Sequence, residues 1–139
     1  MNYVFDVSFV GALIIPDEIE PHSQKMYARV KNEDERHVPL LFWYEISNIF
    51  NNLILRKRYT YNEIIDFFSY LDAFCFLTDF ESGIIYSRKL LQLCNDYGLS
   101  AYDAAYLELA DRKKAVLFTF DSNLKIATEK KGVNVLSSL

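Results

Sequence analysis

Residues 98–121 read GLSAYDAAYLELADRKKAVLFTFD, and this stretch decides the fold. Gly98 is suited to close one helix in a left-handed conformation, and Ser100 to cap the next. The Ala, Tyr and Leu residues that follow sustain a helix, which puts Asp103 in its first turn. Beyond the basic turn Arg112, Lys113 and Lys114, residues 115–120 form the short apolar run expected of a buried parallel strand, with Asp121 at its carboxyl end. Two carboxylates thereby arrive at junctions between strands and helices. In open α/β sheets the crevice outside the carboxyl ends of the strands is where ligands bind.

Working outward, the chain start repeats the pattern. Residues 1–5 are strand-like, Asp6-Val7-Ser8 ends the strand, and the apolar segment 9–15 follows. A third carboxylate joins the same edge. Glu45 lies within the aromatic run 41–48, just after the strand-like residues 37–40, and an acid amid that much apolar surface needs a reason.

The remaining segments alternate in the same way. Helices are expected over 17–32, 41–58, 61–72, 81–97, 100–113 and 122–131, and strands over 37–40, 74–77, 115–120 and 133–136, with 33–36 a solvated loop. On the helix 41–58, Phe42, Ile46, Ile49 and Leu53 keep the spacing of a core face. Glu45, Asn48, Asn52 and Arg56 form a polar stripe beside it. Thr60 with Glu63 makes a capping box, and the helix it starts carries aromatics on more than one face, which implies deep burial or a partner surface. No linker, repeat or low-complexity tract interrupts residues 1–139. The reading is a single α/β domain, a central parallel sheet of about five strands with helices on both faces.

Composition narrows the function classes. A net charge of −4 argues against a protein that coats nucleic acid by bulk electrostatics, but clustered carboxylates that cations later offset remain compatible with a nuclease. No apolar run reaches the roughly 20 residues of a membrane span, and the start lacks the features of a signal peptide. A soluble, cytoplasmic protein is expected. Cys75 and Cys94 lack metal-ligand spacing and are read as buried free thiols; His22 and His37 are isolated.

Each acid has a plain structural reading. Asp6 and Asp121 can be helix N-caps, Asp103 can pair with Ser100 in a capping turn, and Glu45 can belong to the polar stripe. Together they are harder to dismiss, because the topology brings the ends of the first, second and fourth strands to one edge. Four converging acids with no Lys or Arg beside them in sequence repel one another, and a hard divalent cation relieves that conflict. Oxygen ligands without His or Cys suit Mg²⁺ or Mn²⁺ and not zinc. Such a site can activate water for phosphodiester hydrolysis. Ser8 and Thr119, each two residues from an acid, can orient ligands or waters or serve as ordinary cap and turn residues.

These residues carry a resemblance. Asp6-Val7-Ser8 after an N-terminal strand, Glu45 with Asn48, Leu99-Ser100-Ala101-Tyr102-Asp103-Ala104, and Thr119-Phe120-Asp121-Ser122-Asn123-Leu124 resemble the ordered acidic motifs of PIN-domain ribonucleases, most of all VapC-type toxins of toxin–antitoxin pairs. The resemblance implies a metal-dependent endoribonuclease using Mg²⁺ or Mn²⁺, with Asp6, Glu45, Asp103 and Asp121 as the acidic set and products ending in 5′-phosphate and 3′-hydroxyl. It further implies a homodimer, an RNA substrate and a cognate antitoxin; the aromatic region 59–76 is the expected association surface. Competing readings are a degenerate PIN domain or α/β interaction module whose acids are only caps, and a Mg²⁺-dependent phosphatase or phospho-receiver domain. The last wants a lysine at a later strand end, where this chain has Thr119-Phe120-Asp121.

Overall fold

Five short strands, β1 (Asn2–Phe5), β2 (Glu35–Pro39), β3 (Leu77–Asp79), β4 (Val116–Phe118) and β5 (Val135–Leu136), pair in parallel in the order β3-β2-β1-β4-β5. The structure is a computed structural model and describes residues 1–18 and 20–137. Strand β1 is central, and the strand order reverses between it and β4, which opens a crevice beyond their carboxyl ends.

Alternation along the strands decides what covers each face. Phe5 and Phe118 stand side by side in the register and stack at 4.9 Å on one face. Phe9 of α1 (Val7–Ile14) and Tyr27 of α2 (Pro21–Tyr27) close over that face. The opposite face carries Asn2, whose amide donates to the carbonyl of Lys113 at the end of α6 (Ala101–Lys113). Helix α6 packs on β1, β2 and β4, with α5 (Ile84–Tyr97) and α7 (Ser122–Lys131) against it. Helices α3 (Leu41–Leu55) and α4 (Tyr61–Ala73) join α1 on the first side. The sheet is thus covered on both faces, as expected.

Caps hold as read: Gly98 is left-handed at φ 66°, the Ser100 hydroxyl accepts from the Asp103 N–H, and Thr60 and Glu63 form a reciprocal capping box. Several boundaries differ, each for a local reason. The expected helix 17–32 is instead a 3₁₀ turn (Pro16–Glu18) followed by α2, because Pro21 supplies no N–H to continue a helix and sits at the start of a new one. Part of that range, residue 19, lies outside the described residues. The loop expected over 33–36 ends early: Glu35 and Arg36 pair in the register with Asn2 and Tyr3. Helix α3 stops at Leu55, beyond which Arg58 turns back to pair with Asp17 and Glu18.

The run 74–77 is not a strand until Leu77. Phe74 and Phe76 stack on each other at 5.1 Å, and Phe76 reaches Phe5 and Phe42, so the run plugs the core with rings instead of pairing its backbone. Between them Cys75 takes a left-handed φ of 53° and is exposed, contrary to the expected buried thiol; Cys94 is half-buried, and both are free. His37 is not isolated, since its buried ring meets Glu35 at 2.9 Å. Among the described residues no helix is long and apolar enough to cross a membrane.

Candidate active site

All four predicted acids sit at the carboxyl edge of the sheet. Asp6 follows β1 and caps α1; Asp121 follows β4 and caps α7, accepting from the Leu124 N–H at 2.8 Å. Glu45 lies one turn into α3, which starts directly after β2 and residue 40. Asp103 is in the first turn of α6.

The corners at Asp6 and Asp121 are stitched together by two hydroxyls. Ser8 Oγ donates to Asp6 Oδ1 at 2.6 Å and accepts from the Phe120 N–H at 3.0 Å. Thr119 Oγ1 donates to Asp6 Oδ2 and accepts from the Asp121 N–H at 3.0 Å. With the Phe9 N–H at 3.0 Å as a third donor, the buried Asp6 carboxylate is fixed in one orientation. Thr119→Val leaves Asp6 Oδ2 without its donor and the Asp121 N–H without its acceptor, so a loss of about 1–3 kcal/mol is expected in urea unfolding. A loss below about 0.5 kcal/mol, the ordinary range of surface substitutions, would show that the hydroxyl ties nothing together.

Glu45 is held by a residue not singled out in the sequence. The Tyr106 hydroxyl donates to Glu45 Oε1 at 2.7 Å across 61 positions of the chain. Tyr106 is three residues beyond Asp103, hence on the same side of α6, and that spacing is the sequence signal for it. Asn48 is exposed one turn beyond Glu45.

Electrostatics link the four acids in a ring. Burial pushes the Asp6 carboxyl up to about 6 against the pull of its three donors, and the charge of Asp121 adds to the rise. Glu45 is raised by burial and by the charges of Asp6 and Asp103, while Tyr106 pulls it down. Asp103 is raised by burial and by Asp121. Burial and the surrounding carboxylates hold the Tyr106 phenol protonated. Elsewhere acids find Arg partners: Asp17 and Glu18 pair with Arg58, Asp79 and Glu108 with Arg112. Among the described residues none of Asp6, Glu45, Asp103 and Asp121 makes an ion pair.

The donor set is oxygen only, which fits a hard divalent cation. Among the described residues no three carboxylate, imidazole or thiol groups ring an ion by themselves. Mg²⁺ needs no such ring, because it keeps several waters and binds through one or two carboxylates. A groove lined by Ser8, Glu18, Asn52, Arg56 and Arg58 borders the site, as does an apolar cavity between α3, α5 and α6.

Residues 3–130 match the PIN domain family. The chain is 28% identical over 131 residues to Ribonuclease VapC3 of Pyrobaculum aerophilum, covering 89% of this chain and 92% of that protein. Its fold is similar to the crystal structure of PAE2754 from Pyrobaculum aerophilum, with a TM-score of 0.71 at 20% identity over 99% of this chain and 84% of that one. It is also similar to a toxin–antitoxin complex from Klebsiella pneumoniae, with a TM-score of 0.61 at 14% identity over 86% of this chain and 87% of that one.

Proposed function

The chain belongs to the PIN domain family, and on that premise we propose that it is a Mg²⁺- or Mn²⁺-dependent endoribonuclease, the toxin of a VapC-type toxin–antitoxin pair acting in the cytoplasm. The observation that carries this reading is the convergence of four carboxylates at one sheet edge, with Asp6, Glu45 and Asp103 each raised by burial and by a neighbouring acid and, among the described residues, none of the four paired with a cation of the protein. The 28% identity to a ribonuclease over nearly the whole chain supports the substrate class.

Asp6, Glu45, Asp103 and Asp121 would hold the cation. When bound, it would supply activation of water and neutralisation of charge on the phosphate oxygens. The chain's own part is to prearrange the oxygens. Ser8 and Thr119 lock Asp6, the α7 backbone locks Asp121, and Tyr106 aims Glu45. Because Asp6, Glu45 and Asp103 are raised above their ordinary range, protons compete for them at mildly acid pH, and cleavage is expected to rise with pH as ionisation completes.

One observation favours a non-catalytic reading: Asp6 and Asp121 do cap helices. The two readings separate on heating. A site that binds a divalent cation stabilises the folded state by mass action, about 2.7 kcal/mol at a hundredfold excess over Kd. Mn²⁺ or Mg²⁺ is therefore expected to raise the melting temperature of the wild type, EDTA to reverse it, and Asp6→Asn to abolish it. A melting temperature indifferent to both metals, together with no cleavage of RNA, would leave the acids as caps only.

For association, the outer face of α4 is the proposed surface for a second copy or the antitoxin. Its inner residues Ile64, Phe67 and Leu71 are buried, whereas Tyr61, Ile65, Phe68 and Tyr70 remain exposed. The toxin–antitoxin complex among its structural neighbours supports an antitoxin partner. Ile65→Ser with Phe68→Ser is expected to lower self-association or antitoxin affinity at least tenfold by sedimentation and titration. Unchanged values in soluble protein would reject this face.

A further inference from the structure

Beside the acids, and apart from the groove lined by Ser8 and Arg56, the N-terminal turns of α3 and α6 and the start of α5 enclose a cavity. Its walls are almost wholly apolar, formed by Leu41, Leu90, Ala101 and Ala105, with Tyr86 half-buried at one side. Two further tyrosines stand at it, and both are unusually open to solvent: Tyr44 is 73% and Tyr102 67% exposed. They are the residues immediately before Glu45 and Asp103, so the cavity and the acidic ring share the same helical turns. Glu81 offers the cavity a polar group.

We propose that this cavity receives one unpaired nucleobase of the RNA, flanking the scissile phosphate, and stacks it on Tyr44 and Tyr102. The chemistry on the page favours a base over other occupants. A base has flat apolar faces and a polar edge, matching tyrosine rings and an apolar wall with one carboxylate at hand. Aromatic platforms bind bases without needing a duplex, each stacked base contributing about 1–3 kcal/mol. A phosphate is disfavoured in such a cavity by Glu81 and by the neighbouring acids, whereas the groove beside Ser8 offers Arg56, with Arg58 paired to Asp17 and Glu18. The strand would thus run from a base pocket, past the acids, to a polar groove, and a paired base could not enter. This assignment rests on the ribonuclease reading, which it deepens by placing a base subsite on Tyr44 and Tyr102.

The test uses a single-stranded RNA oligonucleotide and a set of the same oligonucleotide with one abasic nucleotide at successive positions. Binding is measured by anisotropy in Ca²⁺ buffer and cleavage in Mn²⁺ buffer, for the wild type, the double variant Tyr44→Ala with Tyr102→Ala, and the matching double Phe variant. The Ala variant is expected to bind about 5- to 150-fold more weakly, with KM rising in step and kcat little changed, and the Phe variant to keep binding. One abasic position next to the cut should weaken the wild type by a similar factor and the Ala variant no further. RNA affinity unchanged in the Ala variant, or an Ala variant still sensitive to that abasic position, overturns the proposal. So does dissociation of an oligomer with RNA affinity retained, which would assign the cavity to a second copy of the chain. A wild type that binds through the tyrosines but cuts nothing refutes the ribonuclease reading alone.

Discussion

Asp6→Asn is expected to lower RNA cleavage by at least about a thousandfold, the upper range for loss of one charge-stabilising group, while leaving the folded protein more stable without metal. Asp6 is the most constrained of the acids: buried, held by Ser8, Thr119 and the Phe9 N–H, and under the charge of Asp121. Burial raises its carboxyl from an ordinary 3.8 to about 6. Between those values the folded state holds a proton that the unfolded chain has released, so metal-free stability falls as pH rises through this window. Ionisation at neutral pH then costs roughly 3 kcal/mol. The asparagine removes the charge and flattens that stretch of the stability curve. Asp103→Asn is expected to abolish cleavage equally without disturbing the Asp6 network. Full cleavage by either variant, measured on labelled RNA, would remove that residue from the reaction; a wild-type stability curve flat across the window would contradict the burial argument.

Arg112→Met carries the largest expected loss of stability. The guanidinium meets Asp79 in a two-bond fork at 3.0 and 2.7 Å and also binds Glu108 at 2.8 and 3.1 Å. Those carboxylates are 12% and 7% exposed, so removing the cation strands two buried charges. Breaking such a set costs about 3 kcal/mol or more. Urea unfolding at neutral pH measures it, and a deficit below about 1 kcal/mol would show the pair to be a surface one. The consequence reaches the site, because the fork ties α6, which carries Asp103 and Tyr106, to the edge strand β3.

The fold class and the local corners that position the four acids were legible in the sequence, whereas several element boundaries were not. Asp6, Asp103 and Asp121 lie within a turn of residues whose local chemistry is unambiguous: Ser100 and Asp121 cap helices, and Gly98 is left-handed as the helix end requires. Errors fell where short-range pattern competes with packing. Residues 74–77 have the composition of a strand, but stacking of Phe74 on Phe76 and the contact with Phe5 outweigh backbone pairing until Leu77. Pro21 divides a run that otherwise has helical character. Long-range polar ties gave no composition signal. The Tyr106 bond to Glu45 and the Arg112 fork join residues far apart in the chain, and only the parallel sheet order brings them together. Tyr106 was not singled out in the sequence; its helical spacing from Asp103 was the available signal, and its partner could be found only in three dimensions.

The most direct test of the central claim is anomalous diffraction from crystals grown with Mn²⁺. The account predicts a peak bounded by Asp6, Glu45, Asp103 and Asp121 in the wild type and its loss in Asp6→Asn. Mn²⁺ bound elsewhere, with these four carboxylates free and RNA still cleaved, would contradict it.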